Sequence, residues 1–147
     1  MKHFESTVIA NQPICDGWQE LTLCWNRLSG TPAPGQFLTI RVAQTTTPLL
    51  RRPFAFSGFD AQQMHASIIY QKRGPATEVL TGKAPGEAID LIGPLGIGFT
   101  LPKENTRPIL VAGGIGLGPI LFLAQEFRHQ GHDPLFVFGC RTKDQVP

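Results

Sequence analysis

The chain has 147 residues and a formal net charge of +2, with 13 Lys or Arg against 11 Asp or Glu. This length allows one domain or two small units, and the small charge gives no indication of a nucleic-acid partner or a membrane surface. No apolar run is long enough to span a bilayer, and the N-terminus has no apolar signal segment, so we expect a cytoplasmic protein.

Six short strands are predicted in the first hundred residues. Two lie between Glu5 and Arg27, joined by Asp16-Gly17, a strong hairpin signal. The others are predicted at Phe37–Val42, Arg51–Ser57, Met64–Lys72 and Ala88–Ile92, with a short helical turn over residues 74–80. Short strands with turn signals at this spacing predict a small antiparallel barrel.

The remaining segment predicts a strand, a helix and a second strand. Pro108–Ala112 is an apolar run of strand length, Pro119–Gln130 has a helical pattern, and Leu135–Phe138 is again strand-like. Pro119 suits the first helical turn, and Gly131 suits the position just past the helix end. We expect the two strands of this β-α-β unit to be parallel and buried.

Leu101–Arg107 is the predicted boundary, with Pro102 and Pro108 flanking its charged residues, and it divides the chain into residues 1–101 and 102–147. Two strands and one helix leave an open sheet edge and an uncovered face. We therefore expect that the chain is a fragment or that a partner completes the sheet, for example a second copy pairing through the open edge.

Three motifs suit a dinucleotide. The glycines of residues 113–118 would let the backbone approach a pyrophosphate at a helix N-terminus, although tight strand-to-helix packing would also explain them. Arg52 and Phe54 would hold a phosphate and a flat ring, or Arg52 is simply an exposed cation on an edge strand. Gly74-Pro75-Ala76-Thr77 would offer a second phosphate site, or is an ordinary helix start.

In this order, the motifs resemble those of the ferredoxin–NADP reductase superfamily, and within it the electron-transfer subunits of class B dihydroorotate dehydrogenases. The segments that carry the resemblance are Leu50–Pro53, Gly93–Gly96, Val111–Gly116 and Gly139–Asp144. It implies a six-stranded antiparallel Greek-key FAD-binding barrel followed by an incomplete parallel βαβ nucleotide-binding unit. It also implies flavin-dependent electron transfer between NAD(P)H and a catalytic dehydrogenase subunit, in pyrimidine biosynthesis.

The same resemblance implies the cofactor-binding residues. Those for FAD would be Arg52, Pro53, Phe54, Ala55, Ile69, Tyr70, Gln71, Gly74, Ala76 and Thr77. Those for the nicotinamide nucleotide would be Gly113, Gly114, Gly116 and Pro119, with Cys140 and Arg141 at the rim. Hydride transfer from NADH to the flavin needs no general acid or base, so no catalytic side chain is assigned.

Departures from the family pattern qualify this interpretation. Phe54 and Ala55 stand where the family often has Tyr and then Ser or Thr, and Ser57 shares a strand face with Ala55, so we expect its hydroxyl to substitute. The chain is an oxidoreductase component only if its nucleotide domain is completed. The alternatives are a truncated, non-catalytic flavin-binding or docking module, and an accessory reductase subunit of a hydrogenase or glutamate synthase.

The cysteines, Cys15, Cys24 and Cys140, are far apart and include no Cys-x-x-Cys pair. They predict no metal site, and the C-terminal cluster that would hold a [2Fe–2S] centre in the family is not present in this sequence. Cys24 alternates within a strand pattern, so we expect it to be a small buried apolar residue.

Overall fold

Six antiparallel strands close into a barrel in the computed structural model, which describes residues 2–45, 48–100 and 106–147. The strands are β1 Lys2–Cys15, β2 Trp18–Cys24, β3 Phe37–Arg41, β4 Arg52–Asp60, β5 His65–Gln71 and β6 Ala88–Leu95. Their order around the barrel is β1-β2-β5-β4-β3-β6. The barrel predicted from the strand spacing is confirmed.

β1 closes the barrel because it is long enough to pair with two different strands. Its first half pairs with β6, where Lys2 lies opposite Gly93, and its second half pairs with β2, where Val8 lies opposite Leu23. A register shift follows Val8 and bends the strand between its two partners. One long strand therefore removes the free edges that a six-stranded open sheet would expose.

The barrel core comes from alternating apolar positions. The strands contribute Leu21, Leu23, Leu38, Ile40, Phe56, Ile68 and Leu91, all fully buried. Trp25 lies among them, with edge-to-face contacts to Phe4 and Phe56 at ring-centroid distances of 5.1 and 5.3 Å. Each buried side chain of this size contributes about 1.5–3 kcal/mol. Cys24 is exposed, because the alternation that buries Leu23 and Trp25 turns it outward; the prediction that it is buried was wrong.

A short helix, α1 Pro75–Thr81, lies between β5 and β6. The second unit consists of β7 Ile109–Gly113, helix α2 Leu117–His129 and β8 Leu135–Gly139. β7 and β8 pair in parallel, with Ile109 opposite Leu135 and Gly113 opposite Gly139. Gly131, just beyond the end of α2, has a φ of +83°. The predicted strand, helix and strand are confirmed. The predicted boundary falls largely within residues 101–105, which lie outside the described residues.

Only one face of the two-stranded sheet is covered. Leu110 and Ala112 are buried beneath α2, together with Leu123 and Phe127 of the helix. The opposite face exposes Ile109, Val111, Leu135 and Val137, at 67, 68, 45 and 47%. Because α2 packs on one side alone, the expectation that both strands are fully buried was wrong for this face. Neither α2 nor the shorter helix has the length and apolar character to cross a membrane within the described residues.

The second unit packs against the outside of the barrel through a small apolar cluster. Trp18 of β2, Ile69 of β5 and Leu117 of α2 are buried together. Phe138 of β8 meets Trp18 edge to face, with ring centroids 6.3 Å apart. The backbone N–H of Asp16 also donates to the carbonyl of Asp144 at 3.2 Å. These contacts set the position of the glycine turn relative to β4 and β5.

Candidate functional site

A cleft of about 900 Å³ opens where the second unit meets the barrel. This volume is within the range of small-molecule and cofactor sites, which is roughly 300–1,000 Å³. One wall is formed by β4, β5 and the start of helix α1 (Pro75–Thr81), and the other by the glycine turn and the segment after β8. The residues that line it are Pro53, Phe54, Ala55, Ile69, Tyr70, Gln71, Arg73, Thr77, Gly114, Ile115, Gly116, Pro119, Gly139, Cys140, Arg141 and Gln145.

The barrel wall of the cleft is rigid around Tyr70. Its ring meets that of Phe54 at a centroid distance of 5.9 Å and an interplanar angle of 69°. The Tyr70 hydroxyl donates to Asn11 Oδ1 at 3.0 Å, and Asn11 Nδ2 donates to the carbonyls of Leu80 and Lys83. Burial raises the pKa of Tyr70, so the phenol stays neutral at physiological pH. The wall therefore presents a fixed aromatic surface.

Thr77 holds the turn that leads into α1. Its hydroxyl accepts hydrogen bonds from the backbone N–H groups of Arg73 (2.9 Å) and Gly74 (3.1 Å). It also donates to the Gly74 carbonyl at 2.9 Å. A hydroxyl has one proton, and here that proton is already used. In this conformation Thr77 shapes the backbone beside the cleft and has no proton left to donate to a ligand.

Two consecutive arginines have different surroundings. Arg51 is paired with Asp90, its Nη2 lying 2.7 Å from the carboxylate. Arg52 has no acidic partner among the described side chains, and its Nη1 donates to the carbonyl of Leu50 at 3.0 Å. Arg52 is not part of the cleft lining, but the next residue in the chain, Pro53, is. Arg52 is thus the cation of the pair that can turn toward an anionic ligand.

The glycine turn leaves its backbone uncovered. A Cβ at Gly113, Gly114 or Gly116 would meet no atom within 4 Å, and Gly114 has a φ of +52°. Residues 114–116 form a 3₁₀ turn that runs directly into α2, a helix of 13 residues. The N–H of Leu117 donates to the Gly114 carbonyl, so the N–H groups without an intrahelical partner are those of the 3₁₀ turn itself, and they favour negative charge. The open space and the free donors together form a cradle that suits a phosphate.

Most of the predicted site residues line this one cleft. Arg52, Gly74, Ala76 and Gly113 do not: Ala76 is buried in the barrel core, and the other three flank the lining. Sequence reasoning missed Arg73, Ile115, Gly139 and Gln145, of which Ile115 and Gly139 lay within recognised motifs. Gln145 reaches the cleft because the adjoining Asp144 carbonyl is bonded to the Asp16 N–H across the chain.

Ser57 does not lie beside Ala55, contrary to what the strand alternation predicted. The register between β4 and β5 shifts between Phe56 and Gly58, so the alternation of side chains breaks there. Phe56 and Ser57 are consecutive and both buried. Ser57 consequently lines a second, smaller cavity instead of sharing the cleft with Ala55, and it does not supply the hydroxyl expected beside that residue.

Curated proteins of similar sequence share one description. The chain is 39% identical over 148 residues to the electron transfer subunit of dihydroorotate dehydrogenase B (NAD⁺) from Geobacillus sp. (strain WCH70), covering 99% of this chain and 58% of that protein. It is 36% identical to the corresponding subunit of Bacillus pumilus (strain SAFR-032), covering 99% and 57%. The chain thus spans a little over half the length of these relatives. No protein-family model matches it.

Solved structures confirm the fold class. An NADH-dependent reduced ferredoxin–NADP oxidoreductase superposes with a TM-score of 0.83 at 25% identity, over 96% of this chain and 50% of that one. Phthalate dioxygenase reductase superposes with a TM-score of 0.77 at 20% identity, over 97% and 45%. The resemblance stated from the sequence motifs is therefore confirmed: the curated relatives are dihydroorotate dehydrogenase electron transfer subunits, and the structural neighbours are reductases of the ferredoxin–NADP reductase type.

Proposed function

We propose that this chain is the FAD-binding barrel and the beginning of the nucleotide domain of a flavin-dependent electron-transfer subunit of the dihydroorotate dehydrogenase type. It would pass electrons between NAD(P)H and a catalytic partner subunit, in the cytoplasm. The observation that carries the proposal is the single cleft that joins β4 and β5 to the glycine turn. Flavin and nicotinamide must meet in such a cleft for hydride transfer.

The barrel side of the cleft fits FAD. We assign the pyrophosphate to Arg52, which unlike Arg51 has no acidic partner among the described residues, and to the backbone of the turn at Gly74, Ala76 and Thr77. Pro53, Phe54 and Ala55 would lie along the flavin ring, and the backbone of Ile69, Tyr70 and Gln71 would border it. The ring held by the Tyr70–Asn11 hydrogen bond gives this surface the rigidity that a stacked cofactor needs.

The other side of the cleft fits a nicotinamide nucleotide. The uncovered backbone of Gly113, Gly114 and Gly116 at the start of α2 would face its phosphates, and Pro119 would border them. Cys140 and Arg141 lie at the rim. Bound FAD supplies the chemistry, which is to accept a hydride and release electrons singly; the side chains named here bind and orient, and none is assigned a proton transfer.

The proposal includes a division of the chain at residue 101, with the barrel before it and the nucleotide unit after it. We also propose that residues 1–147 carry no [2Fe–2S] centre, because they contain three cysteines and a cluster of that type takes four protein ligands. Electrons leaving the flavin would then pass to a centre held elsewhere in the complex.

Variant Arg52→Ala tests the FAD assignment. A charge-assisted phosphate contact contributes about 1.5–3 kcal/mol, so we expect the FAD dissociation constant to rise by roughly tenfold or more. The measurement is flavin absorbance and fluorescence titration of the purified chain, with released cofactor identified by mass. Arg128→Ala is the matched control, since Arg128 is an exposed cation near the end of α2 and away from the cleft. Equal affinity in wild type and Arg52→Ala would refute the role of Arg52, and a protein that takes up no FAD at all would refute the function.

The second candidate is a non-catalytic docking module. The exposed apolar face formed by Ile109, Val111, Leu135 and Val137 favours it, since a second copy or another chain could cover that face or pair with the open edge. A colourless protein that sediments as a tight dimer would support this candidate. A yellow monomer would support the first. An accessory reductase of a hydrogenase or glutamate synthase shares the proposed chemistry and differs only in its electron acceptor.

A further inference from the structure

A second cavity, of about 330 Å³, lies between the barrel and α2 and shares no lining residue with the cleft. Its floor is the outer face of β2, β5 and β4, and its roof is α2 through Leu121 and Gln125. Strand register sets the floor: Thr22 and Gly58 both lie opposite Ser67, and Asp60 lies opposite His65. Nothing in the proposed electron-transfer function uses this cavity.

The cavity is polar and acidic. Glu20 and Asp60 both line it, and no Lys or Arg does so among the described residues, although the chain as a whole is weakly basic. Glu20 is half-buried with no ion pair or hydrogen bond from another described side chain, and burial raises the pKa of its carboxyl. A carboxylate that is partly removed from water and has no counter-charge is stabilised by a nearby positive charge, so a cation would be favoured beside Glu20.

A second observation, independent of the charge, is the hydroxyl of Ser57. Ser57 is 3% exposed and lines the cavity, yet its Oγ has no hydrogen-bond partner. Buried hydroxyls are nearly always hydrogen-bonded. Gln125 also lines the cavity, and its amide oxygen accepts no hydrogen bond from the described residues. Three oxygen acceptors of different kinds, on β2, β4 and α2, therefore surround one small space.

We propose that this cavity binds the head group of an organic cation, an alkylammonium or a guanidinium. An ammonium group has three donors and no acceptor, which complements the carboxylate of Glu20, the amide oxygen of Gln125 and the hydroxyl of Ser57. A metal ion fits less well, because no group of three or more His, Cys, Asp or Glu in the described residues is arranged to hold one. The cation belongs either to a free small molecule or to a Lys or Arg side chain of another protein.

The test is a titration of the ¹⁵N-labelled full chain with n-butylammonium chloride, with n-butanol as the uncharged counterpart. We expect saturable shifts of the amides of Thr22, Ser67 and Gln125 with the amine and none with the alcohol. Glu20→Gln should weaken binding by about tenfold or more, and Ser57→Ala should weaken it several-fold. Glu5→Gln, which removes an exposed carboxyl on β1, is the matched control and should leave the affinity unchanged.

A lysine-containing tetrapeptide with blocked termini distinguishes the two sources. Binding tighter than that of butylammonium would assign the cation to a protein side chain, and weaker or no binding would assign it to a small molecule. The proposal is overturned if butylammonium produces no saturable shift, if butanol produces the same shifts, or if Glu20→Gln binds the amine as tightly as wild type.

Discussion

Asp90, on the strand that pairs with β1, contacts the side chains of both Arg51 and His3. Its carboxylate lies 2.7 Å from Arg51 Nη2 and 2.5 Å from His3 Nε2. Burial alone would raise the pKa of Asp90, but the hydrogen bonds and charges of Arg51 and His3 outweigh it, and the net pKa lies below its ordinary value. This network engages Arg51, whereas the neighbouring Arg52 has no acidic partner among the described residues.

Asp90→Asn should therefore destabilise the fold in a pH-dependent way. A carboxyl whose pKa is lower in the folded state stabilises the fold fully above the unfolded pKa of about 3.9 and loses that contribution as the pH falls through its folded value. We expect the variant to lose about 1 kcal/mol at pH 7 and the difference from wild type to shrink on acidification. Urea unfolding across that range measures it. Asp133→Asn, at an 88%-exposed side chain, is the control, and a difference that does not vary with pH would contradict the electrostatic explanation.

Local backbone geometry limits how two loops can change. Gly35 has a φ of +91°, and a Cβ there would lie 2.8 Å from the backbone nitrogen of Phe99. That nitrogen donates to the Pro34 carbonyl at 2.8 Å, so it cannot move without losing a hydrogen bond. Gly17, in the hairpin turn, has a φ of +70° but open space around it. Both glycines therefore have a positive φ, but only at Gly35 would an added Cβ overlap another backbone atom.

Gly35→Ala and Gly17→Ala separate these effects. Left-handed backbone costs about 1–2 kcal/mol for a residue with a Cβ, so we expect Gly17→Ala to lose that amount. Gly35→Ala should lose about 3 kcal/mol or more, because a backbone overlap is added to the strain. Thermal and urea unfolding of the two variants give the comparison. Equal losses would show that the segment around Phe99 shifts freely to accept the methyl group.

The secondary-structure elements were largely predictable, and their irregularities were not. Alternating apolar residues and the Asp16-Gly17 turn were enough to place the strands, because side-chain direction follows a period of two. The register shift after Phe56 breaks that period, and no residue pattern in the sequence indicates the shift. Because of it, Ser57 lines the second cavity. Arg73 was also missed, since a lone arginine after a strand belongs to no recognised motif.

The cleft depends on how two units pack, which local patterns do not encode. Its motif residues were predictable because glycines at a helix start have a stated physical purpose. Gln145 was not, because a tertiary hydrogen bond between Asp16 and Asp144 brings it there. The sequence also does not show that Trp18, Ile69 and Leu117 pack together between the two units, although each of these residues is apolar. Fold class therefore followed from the sequence more readily than the relation between the two units.

The packing of the second unit on the barrel can be tested at Phe138, whose ring contacts Trp18 edge to face. Phe138→Ala removes a half-buried aromatic contact worth about 2 kcal/mol. If residues 102–147 form a unit of their own, amides of β7, β8 and α2 should exchange with solvent about tenfold faster while barrel amides keep their protection. Val137→Ala, on the exposed face of the same strand, should change neither. A uniform increase across the barrel as well would mean that the whole chain opens as one cooperative unit, and the division at residue 101 would have to be abandoned.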